Sequence, residues 1–356
     1  MASQKLRFGI IGCGGIAQQR HMPSLAKLPE VELAAFFDPT QGRAEAARAQ
    51  HGCADAGVYA DYQDLLRDST IDVVHVCTTN ATHADITIAA LEAGKHVLCE
   101  KPMATTPDDA RRMVETARRA GRKLTVGYNN RFRPDSQTLH RLCRRGDLGH
   151  IYYAKALALR RRGVPTWGAF LDREKQGGGP LIDIGSHALD LTLWMMDNYR
   201  PRVVLGTAYH LLGKRANSAN DWGPWDPARC TVEDSAFGFV VMENGATVVV
   251  ESSWALNMVA EGEGQTVLCG TQAGADMVGG VRLNGDDLGQ RYLKQIAVAA
   301  DPAAAPPYGH DLQARLWVDA ILRDEEPLVK PEEALVVTEI LDAIYRSASS
   351  GEPVHL

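Results

Sequence analysis

The hydrophobic pattern opens with a short apolar run, Leu6-Arg7-Phe8-Gly9-Ile10-Ile11, that ends in glycines and passes into helically spaced apolar positions at Ala17, Leu25 and Leu28. That is a strand, a turn and a helix. Apolar runs at 31–37, 72–77, 96–99 and 124–127 then alternate with helical stretches such as 41–50 and 83–94, the second closed by Gly94 as a C-cap. Strands alternating with helices predict a parallel sheet covered on both faces. Beyond about residue 127 the rhythm changes. A helix over 134–146 precedes a long β-like run at 151–160, and Gly177-Gly178-Gly179-Pro180 breaks the chain before a helix over 186–197. Strand-like segments follow between 202 and 283, notably 235–242 and 246–254, joined at Glu243-Asn244-Gly245, a hairpin signal. The segment 301–307 reads as a loop, and helical patterns over 309–323 and 331–348 close the chain.

The pattern therefore predicts an α/β protein. A Rossmann-type dinucleotide-binding domain spans 1–126, and an α+β domain with a large, open, mostly antiparallel sheet spans 127–356. Length agrees, because 356 residues exceed the roughly 250–300 at which single cores stop growing. With 45% hydrophobic and 23% charged residues the composition is that of a folded domain protein. A net charge of −6 gives no general pull toward nucleic acid or acidic lipid. No apolar run reaches the roughly 18–20 residues of a membrane span, and the N-terminus leads straight into a strand without a secretory signal, so a cytoplasmic protein is expected. Seven cysteines, odd in number and never spaced C-x-x-C, indicate neither a disulfide framework nor a metal site.

Chemistry enters at the first turn. Gly12-Cys13-Gly14-Gly15-Ile16-Ala17 fits G-x-G-x-x-A between a strand and a helix. The first glycine permits the tight turn, the second lets backbone approach a pyrophosphate, and the helix N-terminus attracts the phosphate charge. Asp38 ends the second strand about 20 residues on, where a carboxylate accepts hydrogen bonds from an adenosine ribose and repels a 2′-phosphate. NAD is favoured over NADP on that ground, with Arg43 either an exposed helix charge or a partner for such a phosphate. Glu100-Lys101-Pro102 follows the strand 96–99 at the carboxyl edge of the parallel sheet, which places Lys101 near a nicotinamide. Asp183 and His187 lie four residues apart at a helix start and face one pocket, where a histidine can take a hydroxyl proton near neutral pH.

With these motifs, Thr78-Thr79-Asn80-Ala81-Thr82-His83 and Gly127-Tyr128-Asn129-Asn130-Arg131-Phe132 in the same order, the chain resembles the Gfo/Idh/MocA family of glucose-fructose oxidoreductases, inositol dehydrogenases and rhizopine-catabolism proteins. The resemblance implies hydride transfer between NAD and a secondary hydroxyl of a sugar, sugar derivative or cyclic polyol, in a homodimer or homotetramer. It implies His187 as the acid/base, Lys101 on the reacting oxygen and Asp183 orienting the pair. Thr79, Asn80, His83, Glu100 and Asn129 would line the cofactor, and Tyr128 and Arg131 would face the substrate.

Many relatives carry a Trp-Arg pair before the glycine-rich loop, whereas here Trp167 is followed by Gly168. The run Arg160-Arg161-Arg162 is either a solvated edge or, with one arginine inward and Arg162 the candidate, a holder for an acidic sugar. Trp167, Tyr128 and Trp254 are candidates for stacking on a sugar, and Tyr308 and His310 for closing the pocket. Two alternatives use the same fold differently. An NAD-dependent glycosidase would oxidise transiently, eliminate and re-reduce, and a sensor of NAD or sugar would not need Lys101.

Overall fold

The computed structural model describes residues 5–215, 218–259, 261–298 and 309–356, so the expected loop 301–307 and Tyr308 lie outside the described residues. The chain forms two compact units, one of Met1–Gly127 with Tyr308–Leu335, the other of Tyr128–Pro307 with Val336–Leu356.

In the first unit six strands, β1 (Leu6–Ile11), β2 (Val31–Phe37), β3 (Gly57–Val58), β4 (Val73–Val76), β5 (His96–Cys99) and β6 (Leu124–Val126), form a sheet ordered β3-β2-β1-β4-β5-β6. Every pair is parallel. All four residues of β4 are buried, as expected of a strand covered on both faces. Helix Pro107–Ala120 buries Ala110, Met113, Val114 and Ala117, at i, i+3, i+4 and i+7, and is closed at both ends. The Thr106 hydroxyl accepts from Asp109 N, Pro107 opens the first turn, and Gly121 takes a left-handed conformation after the last residue.

The pattern assigns everything from 127 onward to a second domain, but helix His310–Leu322 belongs to the first unit. Its Ala314, Trp317 and Val318, at i, i+3 and i+4, pack with Phe8, Met22, Leu25 and Phe36 in one core cluster. A remote helix completes a core that the N-terminal segment leaves open.

In the second unit nine strands form one sheet: β7 (Ile151–Leu159), β8 (Pro201–Tyr209), β9 (Ser235–Met242), β10 (Thr247–Ser253), β11 (Gly262–Gly270), β12 (Gly274–Asp276), β13 (Val281–Asp287), β14 (Gln290–Ile296) and β15 (Val354–His355). Their order is β14-β13-β12-β11-β7-β10-β9-β8-β15. β7 and β10 pair in parallel, and the other neighbours are antiparallel. The β9–β10 hairpin turns at Gly245, whose positive φ of 84° suits glycine. Helix Ser186–Met196 packs on β7 and β11 and, preceded by the π-helical turn Leu181–Gly185, carries the second motif. Among the described residues no helix is long and apolar enough to cross a membrane.

Candidate active site

The glycine turn leaves β1 through Gly12, where φ is +93° and an added Cβ would lie 2.5 Å from the Cys77 carbonyl oxygen. Only glycine fits there. At Gly14 an added Cβ would meet nothing within 4 Å, so the backbone beyond the turn borders open space. The amides of Gly14, Gly15 and Ile16 precede the helical turn Ala17–His21, where helix-start donors favour an anion. Asp38 fastens the turn. One carboxylate oxygen accepts from Cys13 N and the other from Thr40 N, each at 2.8 Å, while Arg43 Nη1 stands 3.9 Å away. This donor-lined cradle beside a carboxylate fits the pyrophosphate and ribose of NAD.

At the carboxyl ends of β4 and β5, Thr79 is exposed and Asn80 and Lys101 are half-buried. Two neighbours behave differently from expectation. The His83 ring is buried, with Nδ1 2.8 Å from the Pro102 carbonyl oxygen and Nε2 3.2 Å from that of Thr78. It ties two loops together instead of lining a cofactor surface. Glu100 turns inward: Oε1 lies 2.7 Å from His21 Nε2, and Oε2 accepts from Lys101 N at 3.1 Å. Burial by itself pushes the Glu100 carboxyl up, but the His21 hydrogen bond and the charges of His21 and Lys101 overcome it and bring it down to about 2. Gly127 is the space for this carboxylate, since an added Cβ would lie 2.6 Å from Glu100 Oε1. His310, expected to close a pocket, is buried edge-on against His21 at 6.0 Å. Burial first, and His21 second, hold its pKa down to about 4.

In the second unit the segment 181–195 is buried except at Asp183 and His187. These two side chains share one face because they lie about one helical turn apart. Asp183 Oδ2 accepts from Trp254 Nε1 at 3.1 Å and lies 4.0 Å from Arg160 Nη1. His187 stands edge-on to the buried Tyr128 ring, with centroids 6.0 Å apart. The glycine-rich loop before them is clamped by the buried Glu233, whose carboxylate accepts from Gly179 N at 2.9 Å, Leu181 N at 3.3 Å and Tyr345 Oη at 2.7 Å. Burial raises the Glu233 carboxyl, and these neutral donors only partly offset it.

Four substrate expectations change here, those for Arg131, Arg162, Trp254 and Tyr128. Arg131 is fully buried, with Nε and Nη2 on the two oxygens of Asp190 at 2.9 and 2.5 Å and its guanidinium over Trp194, so it anchors helix Ser186–Met196. Arg162 is spent on the carbonyls of Arg161 and Leu256 and on the Asn257 side chain. Arg160 is the arginine that turns toward Asp183, but Glu263 neutralises it through two contacts of 2.6 Å. Trp254, a candidate for stacking, is buried and serves Asp183. Tyr128 is likewise buried, which leaves its ring for His187. Asn129 is half-buried at the start of the turn Asn129–Phe132. Sequence reasoning missed His21, Glu233 and Tyr345, which act through contacts with distant residues.

A parallel sheet in this strand order, with a glycine turn and an acidic residue ending the second strand, defines a dinucleotide-binding oxidoreductase domain. A model of the oxidoreductase family with an NAD-binding Rossmann fold matches residues 6–128, and the GFO/IDH/MocA C-terminal domain matches 136–276. The D-glucoside 3-dehydrogenase of Escherichia coli is 36% identical over 357 residues, covering 100% of this chain and 99% of that protein. The D-apiose dehydrogenase of Paraburkholderia graminis is 27% identical, covering 99% of this chain and 90% of that one. Among solved structures, the aldose-aldose oxidoreductase of Caulobacter crescentus complexed with glycerol superposes with a TM-score of 0.79 at 26% identity, covering 99% of this chain and 100% of the other. The chain belongs to the GFO/IDH/MocA family of NAD-binding oxidoreductases.

Proposed function

We propose that the protein oxidises a secondary hydroxyl of a sugar, sugar derivative or cyclic polyol with NAD. The observation that carries this reading is the pairing of Asp183 and His187 as the two partly exposed side chains of an otherwise buried helical segment. A polar pair kept on one face of such a segment serves the surface it faces. The glucoside and apiose dehydrogenases among its relatives support a carbohydrate substrate.

NAD, when bound, would be held by the Gly12–Ile16 turn and Asp38, with Thr79 and Asn80 alongside, and supplies the hydride acceptor. In the proposed step His187 takes the hydroxyl proton while the carbon loses hydride. Lys101 hydrogen-bonds the reacting oxygen as it becomes a carbonyl, and Asp183, fixed by Trp254, orients the acid/base. Asn129 is assigned to the cofactor side.

Mixing the protein and NAD with inositols, aldoses, uronic acids and glycosides should give steady NADH absorbance with one class. Lys101→Ala and His187→Ala should each lower kcat by about 10²–10⁴-fold. Release of an aglycone without net NADH would replace dehydrogenation by redox-assisted glycoside cleavage. A carboxylate at position 38 disfavours a 2′-phosphate by charge, so Asp38→Ser should raise the NADP-to-NAD ratio of kcat/KM.

Homo-oligomerisation through the large sheet is part of this reading. Leu205, Phe239 and Val249 are directly paired across β8, β9 and β10 on one face, with Leu205 and Phe239 exposed. A contiguous apolar row is what a self-association surface needs. Light scattering on the eluted protein should report a dimer or tetramer.

A further inference from the structure

Trp167 and Trp222 hold two large rings in solvent, 52% and 41% exposed, with centroids 4.9 Å apart at 67°. Exposed tryptophans are costly, and a pair on floppy loops would fold inward. These loops are laced together. Asn220 Oδ1 accepts from Val164 N at 2.8 Å and its Nδ2 donates to the Val164 and Gly223 carbonyls. Thr166 Oγ1 donates to Trp222 O at 2.9 Å, and Asp221 N to Arg162 O at 3.1 Å. Beside Trp167 opens a cleft of about 950 Å³, also lined by Trp225, whose Nε1 is fixed on the Gly213 carbonyl at 2.8 Å. Its charged lining is balanced: Arg173, Lys175 and Arg229 against Asp172, Glu174 and Asp226.

The aromatic pair is joined to Asp183 by two short paths within the same unit. The Arg160 guanidinium lies 4.8 Å over the Trp222 ring and 4.0 Å from Asp183. On the other side Phe170 meets Trp167 at 6.0 Å and Trp254 at 6.4 Å, and Trp254 donates to Asp183. The cleft lining does not include Asp183, so the cleft is separate from the proposed reaction site and is linked to it through the ring contacts of Trp167.

We propose that this cleft seats a second, non-reacting sugar ring, so that the enzyme takes uncharged two-ring glycosides in preference to free monosaccharides. This rests on the dehydrogenase reading above. Indole faces accept the apolar C–H face of a pyranose, while carboxylates and guanidinium groups at the rim pair with its hydroxyls. Equal numbers of cations and anions give no preference for an anionic ligand. Arg160, the one inward arginine of its run, is neutralised by Glu263, which disfavours the acidic sugar that the arginine run suggested. A cavity of this size falls in the range of about 300–1,000 Å³ typical of small-molecule sites.

The test compares methyl glucoside with maltose, cellobiose and trehalose as substrates of the full-length protein, and titrates the same disaccharides calorimetrically in the presence of NAD. Trp167→Ala, which removes a cleft wall, and Trp222→Ala, which removes the ring packed against Trp167 from outside the cleft lining, should each lower the disaccharide-to-methyl-glucoside ratio of kcat/KM at least tenfold, chiefly through KM, and weaken disaccharide binding by a similar factor. A ratio unchanged in both variants, or wild-type protein that oxidises methyl glucoside yet neither binds nor oxidises any disaccharide, overturns the cleft and leaves the dehydrogenase reading standing. Disaccharide binding that is lost in the variants, with no NADH formed from any disaccharide or from methyl glucoside, would instead sink the dehydrogenase reading and keep the cleft. Because both rings are exposed, the variants should unfold at the wild-type temperature.

Discussion

Two buried glutamates, one in each unit, fasten the segments next to Lys101 and Asp183, and their carboxyls are shifted in opposite directions. Glu100 faces His21 and its carboxyl falls to about 2. Glu233 faces a phenol and two backbone amides, and its carboxyl is raised. Burial pushes both upward, so the sign is decided by the partner. At Glu100 the direct His21 hydrogen bond together with the nearby charges outweighs desolvation, whereas at Glu233 neutral dipoles only reduce it. In the first arrangement the Glu100 carboxylate, held by His21, accepts from Lys101 N, and in the second the Glu233 carboxyl holds the loop before Asp183 by hydrogen-bond geometry.

The comparison breaks first at Glu100. Glu100→Ala leaves His21 buried without its partner and should cost about 3–5 kcal/mol in equilibrium unfolding, whereas Glu233→Ala, which strands two amides and a hydroxyl, should cost about 1–3 kcal/mol. Equal losses would mean that the charged contact adds nothing beyond its hydrogen bond. The pH dependence sharpens the contrast. Glu100 titrates lower in the folded protein than its ordinary 4.5, so its contribution is present above that pH and is lost as pH falls toward 2. Glu233 titrates higher in the folded protein, so its contribution is present below its ordinary value and is lost as pH rises through the raised one. Glu100→Gln should therefore flatten the acid limb of stability against pH, and Glu233→Gln should relieve the loss on the alkaline side. Slopes that change in the same direction would refute the assignment. The smallest effect is Tyr345→Phe, which removes one donor from Glu233 and should cost about 0.5–1.5 kcal/mol. If Glu233 positions the loop, this variant should also lower kcat more than it raises KM for the sugar, which a purely structural role would not do.

Much of this was legible along the chain because it is local. The alternation of apolar runs and helical spacing locates β1, β2, β4, β5 and β6 and the hairpin at Gly245. The glycine turn with Asp38, and the Asp183–His187 spacing, are readable because each lies within one element or one strand-turn-helix unit. β3 is too short, at two residues, to leave a period. Helix Pro107–Ala120 signals itself both through Thr106, Pro107 and Gly121 at its ends and through the helical spacing of Ala110, Met113, Val114 and Ala117.

By itself the sequence determined the α/β class, the dinucleotide cradle and the pairing of a carboxylate with a histidine on one face, since periodicity and turn chemistry act over a few residues. Only the tertiary structure decided what those groups lean on. His21 reaches Glu100 across 79 positions and Tyr345 reaches Glu233 across 112, and no local period encodes such contacts. The tertiary structure also chose Arg160 over Arg162, because the run lies just past the end of β7, where strand alternation no longer fixes which side chain turns inward. And it drew helix His310–Leu322 into the first unit, because an amphipathic stripe joins whichever core it completes.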